Sequence, residues 1–258
     1  RSFSGIIYIL IFLSAILFSE KSYLLLVSIF GLFCIWEFSK MIKSRNIISY
    51  IFFGLLLFLM IDNQDGYLVK GILITTIVSS LFLLYQLISK KEILYFNNIS
   101  KFGLTLRYVV FSMCFLILLP FFNNIFRPYL IISILSIIWV NDSFAFLVGK
   151  NFGNKKLFVS VSPNKTVEGF LGGLVFSLLA SFLISQFNTL FTLNSWLVIG
   201  ALVSVLGTLG DLIESKFKRQ AKIKDSGSLM PGHGGILDRL DSLLFVSPFV
   251  YLYINFII

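Results

Sequence analysis

The residues best suited to chemistry lie in one charged block, residues 215–241, which reads SKFKRQAKIKDSGSLMPGHGGILDRLD. Five Lys or Arg residues precede Asp225, a proline and four glycines follow it, and Asp238 and Asp241 close the block. Cations and a flexible backbone suit phosphate, and paired carboxylates suit a metal ion. Apolar runs long enough to cross a bilayer lie on both sides, so the sequence predicts a membrane enzyme.

Acidic residues approach this block from two predicted helices. Asp211, Glu214 and Ser215 are spaced i, i+3 and i+4, which places them on one helix face. Asp238 and Asp241 are spaced i and i+3 at the start of the next helix. Carboxylates from two helices form the hard-oxygen site that Mg²⁺ prefers, usually completed by water and substrate phosphates.

A third polar cluster occupies residues 141–169. Asp142 lies inside a predicted span, where a carboxylate is costly unless it meets a cation or a water-filled cavity. A basic, glycine-containing segment that includes Lys150 follows. The sequence SPNKT at 162–166 comes directly before the next span, so Lys165 and the free amides at that helix start could hold a phosphate.

The 215–241 block also follows the pattern S-x-x-K-R-x4-K-D-x-[GSA]-x2-[LIF]-[PGS]-x-H-G-G-x2-D-R-x-D at every position but one, where Met230 stands in place of Leu, Ile or Phe. The matching residues are Ser215, Lys218, Arg219, Lys224, Asp225, Gly227, His233, Gly234, Gly235, Asp238, Arg239 and Asp241. With these residues the chain resembles the phosphatidate cytidylyltransferase family. The resemblance weakens over residues 130–258 and is only topological before them.

The resemblance implies an activity, a cofactor and a set of site residues. The family transfers the cytidylyl group of CTP to phosphatidate, requires Mg²⁺, and forms CDP-diacylglycerol and pyrophosphate for phospholipid biosynthesis. The resemblance implies that Asp211 and Asp238 are metal ligands. It implies that the catalytic residues are these two aspartates and four phosphate contacts, Lys165, Arg219, Lys224 and His233. Further substrate contacts are expected at Asp142, Lys150, Ser162, Thr166, Ser215, Lys218, Asp225, Gly234, Gly235, Arg239 and Asp241.

Simpler interpretations of these residues stay open. The lysines before Asp225 could bind anionic membrane lipids, at about 1 kcal/mol per cation. Asp225 could form an Asx turn, and Asp238 could interact with a helix dipole. His233 could be a general base, a phosphate contact or a turn residue. Glu37, near the end of a predicted span, is either a functional carboxylate or one that reaches toward the membrane surface.

Composition places the whole chain in the membrane. It is 57% hydrophobic and 13% charged, with a mean hydropathy of +0.94, whereas soluble domains carry roughly 25% charged residues. We expect an all-α, polytopic protein with about nine spans. They are predicted at 3–18, 22–39, 47–61, 71–89, 106–122, 128–149, 168–186, 195–213 and 240–258.

The basic residues predict the orientation of the chain. Of its 21 Lys and Arg residues, Lys21, Lys70 and Arg127 fall on one side and the other 18 on the opposite side, which the positive-inside rule makes cytoplasmic. We therefore expect an N-in, C-out protein, in a bacterial inner membrane, with a cytoplasmic active site. Because the charges are divided among short loops, no nucleic-acid partner is expected.

Composition also divides the chain into two parts. Residues 1–126 hold few polar groups, whereas residues 127–258 hold the catalytic region with its loops 150–167 and 214–239. A homodimer is a further expectation that the sequence leaves open.

Two other functions compete with this prediction. One is a CTP-dependent transferase that acts on an isoprenoid lipid phosphate or a polyprenol. The other, a transporter, predicts inverted halves with broken helices at corresponding positions, whereas the polar chemistry here is confined to one half.

Overall fold

The protein is a bundle of helices joined by short connections. The computed structural model describes residues 2–44, 47–64, 66–89, 91–229 and 234–258. The helices are α1 (Ser2–Phe18), α2 (Glu20–Met41), α3 (Ile48–Ile61), α4 (Tyr67–Ile88), α5 (Asn98–Thr105), α6 (Phe111–Leu118), α7 (Pro128–Phe152), α8 (Val167–Phe187), α9 (Leu193–Gln220) and α10 (Leu237–Phe256). A π-helical turn, Leu106–Val110, joins α5 to α6.

Several helices start at residues that can satisfy their first free amides. The side chains of Ser19, Asn97, Thr166 and Thr192 each accept a hydrogen bond from the backbone N–H three residues later. Such a cap satisfies a donor that the helix itself leaves unpaired.

Six helical segments within the described residues are long and apolar enough to cross a membrane. They are Glu20–Met41, Tyr67–Ile88, Asn98–Leu118, Pro128–Phe152, Val167–Phe187 and Leu193–Gln220. The chain is therefore an integral membrane protein. Two further apolar helices, Ile7–Phe18 and Ile48–Ile61, are shorter. The helix α10 carries Asp238, Arg239 and Asp241 in its first turns.

The predicted element boundaries needed two corrections. The span predicted at 106–122 is instead the segment Asn98–Leu118, with its π-helical turn. The helix α9 continues to Gln220, so the first seven residues of the predicted loop 214–239 are helical.

Two short antiparallel hairpins add to the helical architecture. Phe121–Phe122 (β1) pairs with Ile125–Phe126 (β2), and Lys156–Phe158 (β3) pairs with Ser162–Thr166 (β4). The second hairpin falls in the predicted loop 150–167 and leads directly into α8. The loop therefore has a fixed shape at the position where the sequence predicts phosphate contacts.

The helices pack around α6 and the carboxyl-terminal helices. Every residue of α6 after Phe111 is buried, and α6 contacts α2, α3, α4 and α10. The hydroxyl of Tyr23 donates to the carbonyl oxygen of Leu116 at 2.6 Å, which fixes α2 to α6. The buried core extends through both halves of the chain, and the division at residues 126 and 127 stays a prediction.

One buried amide connects three helices of the carboxyl-terminal half. The Oδ1 atom of Asn141 on α7 accepts hydrogen bonds from the hydroxyls of Ser177 on α8, at 3.3 Å, and Ser204 on α9, at 2.7 Å. All three residues are buried. Because apolar surroundings offer these hydroxyls few other partners, the contacts help to align α7, α8 and α9.

We expect Asn141→Ala to lower the free energy of unfolding by about 1 kcal/mol, because two interhelical hydrogen bonds are lost at about 0.6 kcal/mol each. Thermal unfolding in detergent would measure the change. The matched control is Asn151→Ala, an exposed position on the same helix whose amide bonds only to its own helix. Equal unfolding midpoints for the two variants would contradict this role.

Candidate active site

Lys165 and Asp211 meet at the polar end of the carboxyl-terminal helices. The β3–β4 hairpin presents Lys165, and its Nζ lies 2.6 Å from Oδ2 of Asp211 on α9. The hydroxyl of Ser215, one turn later, donates to Oδ1 of the same carboxylate at 3.2 Å. Both partners of the ion pair are partly exposed. The predicted helix face is thus present, and the hairpin adds a cation to it.

Lys218 forms a second, more buried cluster on the same helix. Its Nζ contacts the carboxylate of Glu214 and lies 2.7 Å from Oδ1 of Asp238 on α10. The Glu214 side chain is fully buried, and those of Lys218 and Asp238 are exposed by only 12% and 7%. A buried carboxylate is tolerated when a cation neutralises it, so Lys218 connects α9 to the start of α10.

Asp238 organises the loop between α9 and α10. Its Oδ2 accepts hydrogen bonds from the backbone N–H of Ser226 at 2.9 Å, the Ser226 hydroxyl at 3.0 Å and the N–H of Gly235 at 2.8 Å. Gly234 has a φ of +84°, and a Cβ there would press against this carboxylate. Ser226, Gly234 and Gly235 are therefore packed closely against the Asp238 carboxylate.

Arg219 connects α9 to the hairpin. Its Nε donates to the carbonyl oxygen of Val161, in the turn between β3 and β4, at 3.2 Å. The residue is exposed, so the rest of its guanidinium remains accessible. Lys165 and Arg219 thus both connect α9 to the β3–β4 hairpin, and their role as phosphate contacts stays a prediction.

A cavity of about 310 Å³ opens beside these clusters. Its polar wall consists of Asp142 on α7 and Asp238, Arg239, Asp241 and Ser242 on α10. Its apolar wall includes Tyr8 and Phe12 on α1 and Leu135, Ile138 and Trp139 on α7. Asn141 donates from Nδ2 to Oδ1 of Asp142 at 3.1 Å, which orients that carboxylate. The cavity can therefore accommodate a molecule with one charged and one apolar end.

The start of α8 differs from its prediction. The N–H of Val167 donates to the carbonyl oxygen of Lys155 at 2.8 Å, and the N–H of Gly169 donates to the hydroxyl of Thr166 at 3.1 Å. These two amides, expected to be free for phosphate, are engaged within the protein. Thr166 is buried as a helix cap, whereas Ser162 opens the β4 strand opposite Phe158.

Three other predicted contacts have exposed side chains. Lys150 is exposed, with its ammonium 6.0 Å from the ring centre of Phe146. Lys224 and Asp225 are exposed on the loop after α9. The predictions for His233 lie outside the described residues.

Three residues that the structure places at the site were missing from the predicted set. They are Asn141, Glu214 and Ser226, which orient Asp142, Lys218 and Asp238 respectively. For Glu214 a signal existed, because it shares the helical spacing of Asp211 and Ser215. Asn141 directly precedes its partner Asp142, whereas for Ser226 the sequence offers no spacing to Asp238.

The site offers carboxylate oxygens, the ligand type that Mg²⁺ prefers. Asp142, Asp238 and Asp241 line one wall of the cavity. Among the described residues no group of three or more His, Cys, Asp or Glu side chains is arranged to hold a metal ion. Mg²⁺ is usually held by only one or two carboxylates, with water and substrate phosphates completing its shell, so Asp211 and Asp238 stay a predicted pair of ligands.

The chain matches a model of the cytidylyltransferase family over residues 1–257. The chain belongs to this family. As a cytidylyltransferase it is an enzyme of the nucleotidyltransferase class.

Curated relatives agree with this assignment. The cytidylyltransferase is 34% identical over 258 residues to the phosphatidate cytidylyltransferase of Bacillus subtilis, covering 97% of this chain and 95% of that protein. It is 33% identical over 260 residues to the protein of the same name from Staphylococcus haemolyticus, covering 96% and 95%. The relative from Staphylococcus saprophyticus is 48% identical over 114 residues, which cover 43% of this chain and 44% of that one.

We expect Lys218→Met to lower the free energy of unfolding by about 3–5 kcal/mol, because the change leaves the buried carboxylate of Glu214 without its cation. Thermal unfolding in detergent would measure the loss. Adding Glu214→Gln should restore part of it, since the uncompensated charge is then removed. The control is Lys222→Met, an exposed lysine just beyond α9. Equal midpoints for Lys218→Met and Lys222→Met would refute the role of Lys218.

Proposed function

We propose that this cytidylyltransferase transfers the cytidylyl group of CTP to phosphatidate, forming CDP-diacylglycerol and pyrophosphate. The observation that carries the proposal is the cavity between the apolar residues of α1 and α7 and the carboxylates and Arg239 of α7 and α10. Such a cavity suits a phospholipid whose phosphate must meet a water-soluble nucleotide. The names of the curated relatives support the same reaction.

The reaction is a displacement at phosphorus. A phosphate oxygen of phosphatidate forms a bond to the α-phosphorus of CTP, and the bond from that phosphorus to the bridging oxygen of the β-phosphate breaks. The attacking oxygen is already anionic, so no general base has to remove a proton from it. The main barrier is therefore the repulsion between two anionic substrates and the charge of the leaving pyrophosphate, which positioned cations reduce.

The cations at the ends of α9 and the hairpin are placed for this task. Lys165 is paired with Asp211, and Lys218 is paired with Glu214 and Asp238. Arg219, held by the Val161 carbonyl, is accessible beside them. We assign phosphate contacts to Lys165 and Arg219, with Lys224 and His233 as further contacts from the loop.

Mg²⁺ would be held by Asp211 and Asp238, which come from different helices. When bound it would neutralise charge on the CTP phosphates and on the departing pyrophosphate. Asp211 is the more open of the two, since its carboxylate is 36% exposed against 7% for Asp238. Of these two residues only Asp238 lines the cavity, where Asp142 and Asp241 complete the acidic wall.

The proposed topology has nine spans, with the amino terminus and the active site on the cytoplasmic side of a bacterial inner membrane. To the six long apolar segments it adds α1, α3 and α10. The distribution of Lys and Arg residues supports this orientation. In this orientation the polar end of the cavity faces the cytoplasm, where CTP is found. A homodimer stays a prediction.

We expect Asp211→Asn and Asp238→Asn each to lose most of the turnover, because each removes an anionic oxygen from the proposed metal site. The assay combines purified protein, radiolabelled CTP and phosphatidate in mixed micelles, with and without Mg²⁺. An isoprenyl phosphate and a polyprenol serve as alternative acceptors, and turnover with one of these but not with phosphatidate would reject the proposed substrate.

The control for these variants is Asp62→Asn, an exposed aspartate at the end of α3. Thermal unfolding of each variant separates lost chemistry from lost folding. This matters most for Asp238, whose carboxylate also holds the loop. Normal turnover in folded Asp211→Asn or Asp238→Asn would remove that residue from the metal site.

For the topology, we expect an impermeant thiol reagent to label Ser228→Cys only after cells are permeabilised. Asn63→Cys, on the opposite side in this topology, should be labelled in intact cells. Both positions are exposed, and the native Cys34 and Cys114 are buried and give little background. Labelling of Ser228→Cys from outside intact cells would contradict the proposed orientation.

A further inference from the structure

The carboxylate of Glu37 lies at the centre of the contact between α2 and the loop that leads into α10. Glu37 is fully buried near the end of α2. Its Oε1 accepts a hydrogen bond from the N–H of Ile236 at 3.1 Å, and its Oε2 accepts one from the N–H of Leu237 at 2.8 Å. The carboxylate therefore caps the start of α10, although it belongs to a helix about 200 residues earlier in the chain.

Glu37 is also connected to Asp238 through one hydroxyl group. Oγ of Ser226 lies 3.1 Å from Oε2 of Glu37 and 3.0 Å from Oδ2 of Asp238. A serine hydroxyl carries a single proton, so the two carboxylates share one side-chain donor. The backbone N–H of Ser226 donates to Asp238 as well. Ser226, which lies in the loop after α9, is thus held between the two carboxylates.

Two glycines of the loop, Gly227 and Gly235, leave room for the Glu37 carboxylate. A Cβ atom at Gly227 or at Gly235 would overlap the Glu37 side chain. The backbone can therefore close around Glu37 only where these positions lack a side chain. Glu37 contacts the loop on both sides of its glycine-rich part, at Ser226 and at Ile236 and Leu237.

The charge of Glu37 suits this position. The first amides of a helix and its dipole favour a negative charge at the helix start. Burying a carboxylate is costly unless hydrogen bonds satisfy it, and here two backbone amides and the shared Ser226 hydroxyl do so. A residue that only reached toward the membrane surface would be exposed to water, so the geometry rejects that interpretation of Glu37.

We infer that Glu37 is a positioning residue for cytidylyl transfer. It fixes the start of α10 and Ser226, and through them it sets the place of the Asp238 carboxylate relative to Lys218 and Asp211. The catalytic part of this inference rests on the proposed function, whereas the holding of the loop does not.

The test is Glu37→Gln, with Glu20→Gln as the matched control. Glu20 is exposed at the start of the same helix. Glutamine keeps the size of the side chain but loses the charge and turns an N–H₂ group toward backbone N–H donors. We expect kcat to fall about 10- to 100-fold, the range for residues that orient metal-site groups, while the KM for phosphatidate stays unchanged.

A second readout needs neither substrate nor metal. Amide hydrogen exchange in the ligand-free protein should be faster over residues 234–240 in Glu37→Gln, and unchanged in α8. Wild-type kcat in Glu37→Gln would overturn the inference. So would a lower kcat without faster exchange at 234–240, or faster exchange throughout the molecule, since the latter would mark a general role in folding.

Ser226→Ala keeps the inference testable if Glu37→Gln does not fold. It removes only the shared hydroxyl, so it should reduce kcat less and raise exchange over the same residues. Wild-type kcat and exchange in Ser226→Ala would contradict the connection between the two carboxylates. If the wild-type protein makes no CDP-diacylglycerol, the proposed function fails, and the exchange comparison still decides whether Glu37 holds the loop.

Discussion

The site depends on keeping charged groups neutralised at the end of an apolar helix bundle. Glu214 is fully buried, and its charge is tolerated because Lys218 of the same helix contacts it. The same ammonium contacts Asp238 at the start of α10. One cation therefore stabilises a buried acid and fixes the distance between two helices. Without Lys218 the buried carboxylate of Glu214 would have no neutralising cation. The stability of α9 and the position of the start of α10 therefore depend on the same residue.

Lys165 and Lys218 are each held in a cation–carboxylate pair, while Asp142, Asp238 and Asp241 line one wall of the cavity. Lys165 of the hairpin is held by Asp211 of α9, and Lys218 is held by the carboxylates of Glu214 and Asp238. Such pairs keep lysines at defined positions in a chain with few charged residues. They suit a reaction between two anionic substrates, because both phosphates and a divalent cation find partners of opposite sign within the same region.

Rigid local structure positions the groups that contact these pairs. The β3–β4 hairpin presents Lys165, and its turn accepts a hydrogen bond from Arg219. Backbone amides at the start of α10 donate to two carboxylates, that of Asp238 in α10 and that of Glu37 in α2. In consequence the amino-terminal half of the chain, which is poor in polar groups, contributes a buried charge to the organisation of the site.

The sequence alone determined the membrane class, the location of the charged block and the helix face shared by Asp211 and Ser215, because composition and helical spacing are local properties. It also supported the family through residues 215–241. The pairing of Lys165 with Asp211 and the capping of α10 by Glu37 were decided only by the tertiary structure. These contacts join residues far apart in the chain, and no local pattern encodes which distant helix a buried polar group will meet. For the same reason the engaged amide of Val167 was missed, since its partner lies across a hairpin, whereas the amide of Gly169 is held by the local cap Thr166.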